Sequence, residues 1–210
     1  MRDEDFAYFI SKFGEATSRV DVPSDDIEKW RKHLPGQLLR YWNDEGWCGY
    51  ANGLFWTVDP DDYEDIVDEW LADTPLEQLD SFHVIARSAF GNLYLWGEKT
   101  GDCVIIASNI NSIIFLNSNL KNEMDDPDFD ARVFFSNKSP AQCDIKDEDG
   151  EPLFERALSS QTKFIVNAVP KPFIKESTSL SNSLPFSPAK RRQKYLACFH
   201  RISMRFSSGL

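Results

Sequence analysis

The sequence predicts an α+β fold in which N-terminal helices precede an antiparallel β-meander. Three observations carry this. Apolar residues recur at helical spacing through the first 45 residues, alternating apolar runs follow between residues 83 and 108, and two-residue and four-residue turns join those runs. A pattern of helices followed by neighbouring strands is the α+β signature.

Residues 3–13 carry Phe6, Phe9, Ile10 and Phe13 on one helical face, and Gly14 supplies a stop. At Val22-Pro23-Ser24-Asp25-Asp26 a second helix is expected, with Ser24 as its cap and Asp25, Asp26 and Glu28 suited to the positive end of the helix dipole. It carries Ile27, Trp30 and Leu34. A third, about 36–45, carries Leu38, Leu39 and Trp42 and ends at Gly46. Residues 53–59 read as a strand. Pro60 opens a fourth helix, with Tyr63, Ile66, Val67, Trp70 and Leu71 on its apolar side. Residues 83–90 and 93–97, joined by Gly91-Asn92, read as a β-hairpin, and a turn at 99–102 leads into a strand at 103–108.

Beyond 108 the pattern weakens. Residues 113–116 and 133–135 are expected as strands, 125–128 as a loop, 147–150 as a turn and 151–158 as a short helix. From 161 onward Ser and basic residues dominate, Pro170, Pro172, Pro185 and Pro188 interrupt, and periodicity is lost, so a loosely ordered tail is expected. The division is residues 1–108, a short or incomplete second domain at 109–160, and the tail at 161–210.

Charge divides the chain at the same place. Residues 1–160 hold 33 Asp/Glu against 14 Lys/Arg, net −19, and residues 161–210 hold one against nine, net +8. Aromatics make up 13% of the chain, with six Trp and sixteen Phe, enough apolar area to oppose disorder of the whole. Cys48, Cys103, Cys143 and Cys198 are not paired at CxxC spacing, and the N-terminus is acidic. Free thiols in a reducing, cytoplasmic compartment are expected. The apolar runs are too short to span a bilayer.

Chemistry-bearing patterns are sparse. No glycine-rich phosphate loop or Gly-x-Ser-x-Gly elbow exists, and Ser88 reads as a strand residue. His33, His83 and His200 are not spaced with a Cys for zinc, and 147–150 lacks the ligand spacing of a calcium loop, so neither metal nor cofactor is expected. Cys48 and His83 could meet, but a buried structural thiol is the expectation. The aromatic segment 46–56 is expected to serve the core, with base or sugar stacking as the alternative. Lys190, Arg191, Arg192 and Lys194 could contact nucleic acid, but no direct nucleic-acid role is assigned. The densest feature is the acidic run Asp59, Asp61, Asp62, Glu64, Asp65, Asp68, Glu69 and Asp73. It can serve as a solvated helix face, a docking face for a basic protein, or a pair of acid–base groups. A binding role without catalysis is the expectation.

Three segments carry a family resemblance: WNDEGWCGY at 42–50, GLFWTVDPDDY at 53–63 and VIARSAFGNLYLWGE at 84–98. They resemble the bacterial GAD-like domain family over about residues 3–108. The resemblance implies an immunity protein of a type VI secretion system, which neutralises a cognate DNase toxin of basic character in the bacterial cytosol. Residues 147–158 look like the start of the family's second domain. After Leu158 the likeness stops, which suggests a frameshift or recombination and puts toxin contacts from that half in doubt. The family's contact residues do not carry over one by one. From charge, the expected docking face is Asp61, Asp62, Glu64, Asp65, Asp68 and Glu69. The alternative is an intracellular scaffold or regulatory module with a non-nuclease partner.

Overall fold

A computed structural model describes residues 2–115, 120 and 123–159. The sequence-predicted tail lies outside them, as do Cys198, His200 and the basic cluster at 190–194.

The first helix, α1 (Glu4–Phe13), begins where the Asp3 carboxylate accepts the Phe6 amide at 2.9 Å, and it buries Phe6, Phe9 and Phe13 on one face. Gly14, at φ +77°, ends it. Strand β1 (Ser18–Val20) follows, a short element the sequence pattern did not reveal. Helix α2 (Ser24–Trp30) starts directly after Pro23, and Ser24 makes no capping bond, contrary to expectation, because it already sits in the first helical turn. Helix α3 (Gly36–Glu45) buries Leu38, Leu39, Tyr41 and Trp42 and ends at Gly46. A side chain at Gly46 would place its Cβ 2.5 Å from the Val20 carbonyl, so the turn back to β1 depends on glycine.

Strands β2 (Trp47–Tyr50) and β3 (Phe55–Thr57) come next, then a 3-10 turn at Pro60–Asp62 and helix α4 (Glu64–Leu71). The expected single helix from Pro60 is thus split at Tyr63, whose side chain turns into the core and is 1% exposed. Strands β4 (Phe82–Ser88), β5 (Asn92–Gly97), β6 (Gly101–Ala107) and β7 (Ser112–Phe115) complete an antiparallel seven-stranded sheet with its strands in sequence order. The predicted meander is therefore present, with two further strands at its start.

The two faces of this sheet hold two cores. On one face α1, α3 and α5 (Pro127–Asn137) cover Phe55, Ile85, Ala86, Tyr94 and Trp96. On the other α4 covers Val84, Leu93, Leu95, Val104 and Ile106. Strand alternation produces the division: Leu93 and Leu95 face α4 while Tyr94 and Trp96 face the aromatic side. A bulge between Val84 and Ala86 lets consecutive Ile85 and Ala86 both serve the aromatic core.

Residues 133–135, expected as a strand, lie inside α5. Asp126, expected in a loop, caps that helix by accepting the Phe129 amide at 3.0 Å, and Pro127 occupies its first turn. Ala131, Phe134 and Phe135, at spacings of three and four, bury its inner face. Phe135 is fully buried with its ring 5.2 Å from those of Phe6 and Tyr41 and 5.3 Å from that of Phe9. Asp128 accepts the Gln37 amide at 2.7 Å, closing the open start of α3 from a distant part of the chain. After α6 (Pro140–Cys143), the turn expected at 147–150 is present. Asp147 accepts the Asp149 and Glu151 amides at 3.0 and 2.9 Å and pairs with Arg156, so its carboxylate holds the turn. Helix α7 (Phe154–Ser159) starts three residues later than expected, where Asp144 caps the Phe154 amide.

Candidate functional site

Packing fixes the acidic segment before charge acts on it. Ile66, Val67, Trp70 and Leu71 of α4 are buried against the sheet, which leaves the opposite side of the helix facing solvent. Asp61 and Asp62 lie in the 3-10 turn, and Glu64, Asp65, Asp68 and Glu69 lie on α4. Asp61, Glu64, Asp65 and Asp68 are exposed, Asp62 and Glu69 half-buried. The fold therefore brings all six predicted residues onto one short stretch of surface. Asp61 pairs with Lys29 of α2. Asp59, half-buried at the start of the turn, accepts the Asp61 amide at 3.1 Å. Burial pushes its carboxyl up to about 6, and the charges of Asp61, Asp62 and Asp26 push in the same direction.

One cleft borders this surface at Glu64 and Asp68, and a second is lined by none of the six residues. The first, of about 550 Å³, is lined by Glu64, Asp68, Glu77, Asp80 and His83 among others. Asp80 is spoken for: one oxygen accepts the Lys99 amide and the Thr100 amide at 2.9 Å and the Thr100 hydroxyl at 2.8 Å. The other cleft, of about 400 Å³, is lined by Lys32, His33, Glu98 and Asp128 among others.

Between the linings of these clefts sits a group the sequence reading missed. Glu98 Oε1 lies 2.7 Å from His33 Nδ1 and 3.0 Å from His83 Nε2. On the far side of the His83 ring, Nδ1 is 3.8 Å from Glu64 Oε1. Trp30, 1% exposed, forms the floor, its ring 4.8 Å from that of His83 and 5.9 Å from that of His33. The two imidazoles hold the Glu98 carboxyl below its ordinary value against the opposing pull of burial. Zinc-type spacing places His and Cys close together in sequence. These three come from the link after α2, the start of β4 and the end of β5. The usable signal was the hairpin register: His83 pairs with Trp96, which sets Glu98 diagonally beside it.

The remaining candidates resolve by packing. Cys48, Cys103 and Cys143 are free and buried. Cys48 donates to the Glu45 carbonyl at 2.9 Å and burial raises its thiol, while His83 is engaged by Glu98, so the two form no nucleophilic pair. Ser88 is fully buried in β4. Trp42, Trp47, Tyr50 and Phe55 are core residues. The Trp56 indole is half-buried, covers Gly49, donates to the Gly53 carbonyl at 2.7 Å and has the Arg87 guanidinium 5.0 Å from its centre. A Cβ would lie 2.9 Å from that ring at Gly49 and 3.2 Å from it at Gly53, which explains these two glycines of the aromatic segment. Among the described residues no helix is long and apolar enough to cross a membrane.

Residues 4–110 match the family model of the GAD-like domain. Among solved structures, the crystal structure of Atu4351 from Agrobacterium tumefaciens has 19% sequence identity and a TM-score of 0.62, covering 73% of this chain and 69% of that one. That likeness is one of fold. No curated protein matches the chain.

Proposed function

The chain belongs to the GAD-like domain family, and from that premise we propose that it is an immunity protein that binds and neutralises a cognate DNase effector of a type VI secretion system. The observation that carries the reading is the run of six carboxylates from Asp61 to Glu69, on the 3-10 turn and on the solvent side of α4, whose other side is locked in the core. A nuclease needs a cationic cleft for the phosphate backbone. An anionic face steers towards such a cleft and competes for it, raising the association rate more than the intrinsic affinity. Because α4 is anchored by four buried side chains, little ordering entropy is spent when the face docks. The protein's role is to occupy a surface, with its carboxylates pairing with Lys and Arg of the partner.

The test is co-purification with the product of the neighbouring gene, followed by DNA degradation with and without this chain. The expected result is a stable complex and loss of nuclease activity at equimolar ratio. Undiminished DNA degradation in the presence of excess protein refutes the reading. Capture of a non-nuclease product of the locus would favour a scaffold role instead.

A further inference from the structure

We propose that His33, His83 and Glu98 form a binding site for a divalent transition-metal cation of the zinc type, separate from the docking role. Their ligand atoms lie within 4.8 Å of one another. Two imidazole nitrogens and one carboxylate oxygen, with the remaining position open to solvent, are the donor set of three-ligand zinc centres. A tetrahedral ion with ligands at about 2.1 Å separates those ligands by roughly 3.4 Å. The Glu98 spacings of 2.7 and 3.0 Å need to open by roughly half an ångström, and the two imidazole nitrogens, within 4.8 Å of each other, need to close by up to about 1.4 Å, movements of side-chain rotation.

The surroundings favour an ion over a simple hydrogen-bonded bridge in three respects. His83 presents Nε2 to the cluster while Nδ1 lies 3.8 Å from Glu64, beyond hydrogen-bond length but near enough for the carboxylate to favour a proton on Nδ1 and leave Nε2 to ligate. The buried Trp30 ring packs edge-on against the half-buried His83 at 4.8 Å, so that imidazole is positioned before any ion arrives, while the exposed His33 is held by its contact with Glu98. The group borders both clefts, His83 on one and His33 and Glu98 on the other, which gives an ion a route in. The Glu98 backbone is itself fixed, its amide donating to the Ser81 carbonyl at 3.0 Å.

The test uses the full chain after dialysis against a chelator. Zn²⁺ is titrated by calorimetry and Co²⁺ by visible absorption, whose intensity reports tetrahedral geometry. One ion per chain is expected. His33→Gln, at an exposed position where folding is unaffected, should weaken binding more than tenfold. Glu64→Gln should weaken it by about tenfold through the orientation of His83. The paired substitution Cys198→Ser and His200→Gln removes the other soft donors near the C-terminus and should leave binding unchanged. Circular dichroism of His83→Gln and Glu98→Gln separates lost ligation from lost fold. No saturable binding, or binding that survives His33→Gln and Glu98→Gln intact, overturns the proposal. Because this readout needs no partner, its failure leaves the docking role standing, and the reverse holds too.

Discussion

Replacing Asp59 by Asn should stabilise the protein, and the gain should depend on pH in a defined direction. The carboxyl is pushed up to about 6 from an ordinary 3.8, chiefly by burial. A group whose folded-state value is raised contributes its full stability below the unfolded value and loses it as pH rises through the folded one. Charged Asp59 is therefore a liability above pH 6. In a dry site the difference between 3.8 and about 6 corresponds to about 3 kcal/mol. Asp59 is half-buried, and the solvent that reaches it screens this to about 1 kcal/mol. Asparagine keeps an oxygen for the Asp61 amide, now accepted at 3.1 Å, so the turn survives. Urea unfolding of both proteins at pH 7.5 and 4.5 measures the effect. The variant should be more stable by about 1 kcal/mol at pH 7.5, with a smaller advantage left at pH 4.5. An equal or larger advantage at pH 4.5, or a loss of stability at pH 7.5, refutes the claim that the cost is that of ionising a crowded carboxylate.

Other perturbations test the remaining features. Reversing Asp61, Asp65, Asp68 and Glu69 to Lys should slow association with a basic partner at least about tenfold at low salt, and calorimetry showing unchanged affinity would remove these residues from the docking face. Phe135→Ala empties the junction of α1, α3 and α5 and should cost about 3–5 kcal/mol in denaturant unfolding; a loss under about 1 kcal/mol would mean α5 is not part of that core. Gly97→Ala would put a Cβ 2.3 Å from the Thr100 hydroxyl oxygen and 2.5 Å from Asp80, so it should destabilise by about 1–3 kcal/mol. Full stability of that variant would show that the Asp80 clamp moves freely. Asp3→Ala removes the α1 cap and the acceptor of both Tyr41, at 2.6 Å, and Gln37, at 2.9 Å. It should cost about 2–4 kcal/mol, with Tyr41→Phe recovering part of the loss in a double-mutant cycle.

Much of this architecture is legible in the sequence, and the reasons for the gaps are physical. Helices α1, α3 and α4 announce themselves because each packs one face on a single layer, so period-3.6 patterning survives. The hairpin shows through Gly91-Asn92 and flanking alternation. Strands β1 and β2 are three and four residues long, and all four residues of β2 are buried, so neither displays alternation. Helix α5 was misread because Val133, Phe134 and Phe135 are strand-favouring residues in a row. The Asp126-Pro127 start and the spacing from Ala131 to Phe134 and Phe135 carried the correct signal. The acidic run could be read from sequence because its residues are contiguous along the chain, on one turn and the helix that follows it. The histidine–glutamate group could not, since it is assembled from three elements by tertiary folding.

Helix α5 has one more consequence. It is translated after the whole sheet, yet its Phe135 inserts beneath Phe6, Phe9 and Tyr41 at the beginning of the chain, and its Phe134 packs on Phe55 and Tyr94 of the sheet. During synthesis the aromatic side of the sheet must wait, greasy and uncovered, until residue 137 has left the ribosome. A polypeptide trimmed to the segment of family likeness, 4–110, would end some fifteen positions short of its own lid and should clump rather than fold. The stretch that matches the family model thus leaves out a helix on which its own aromatic core is built.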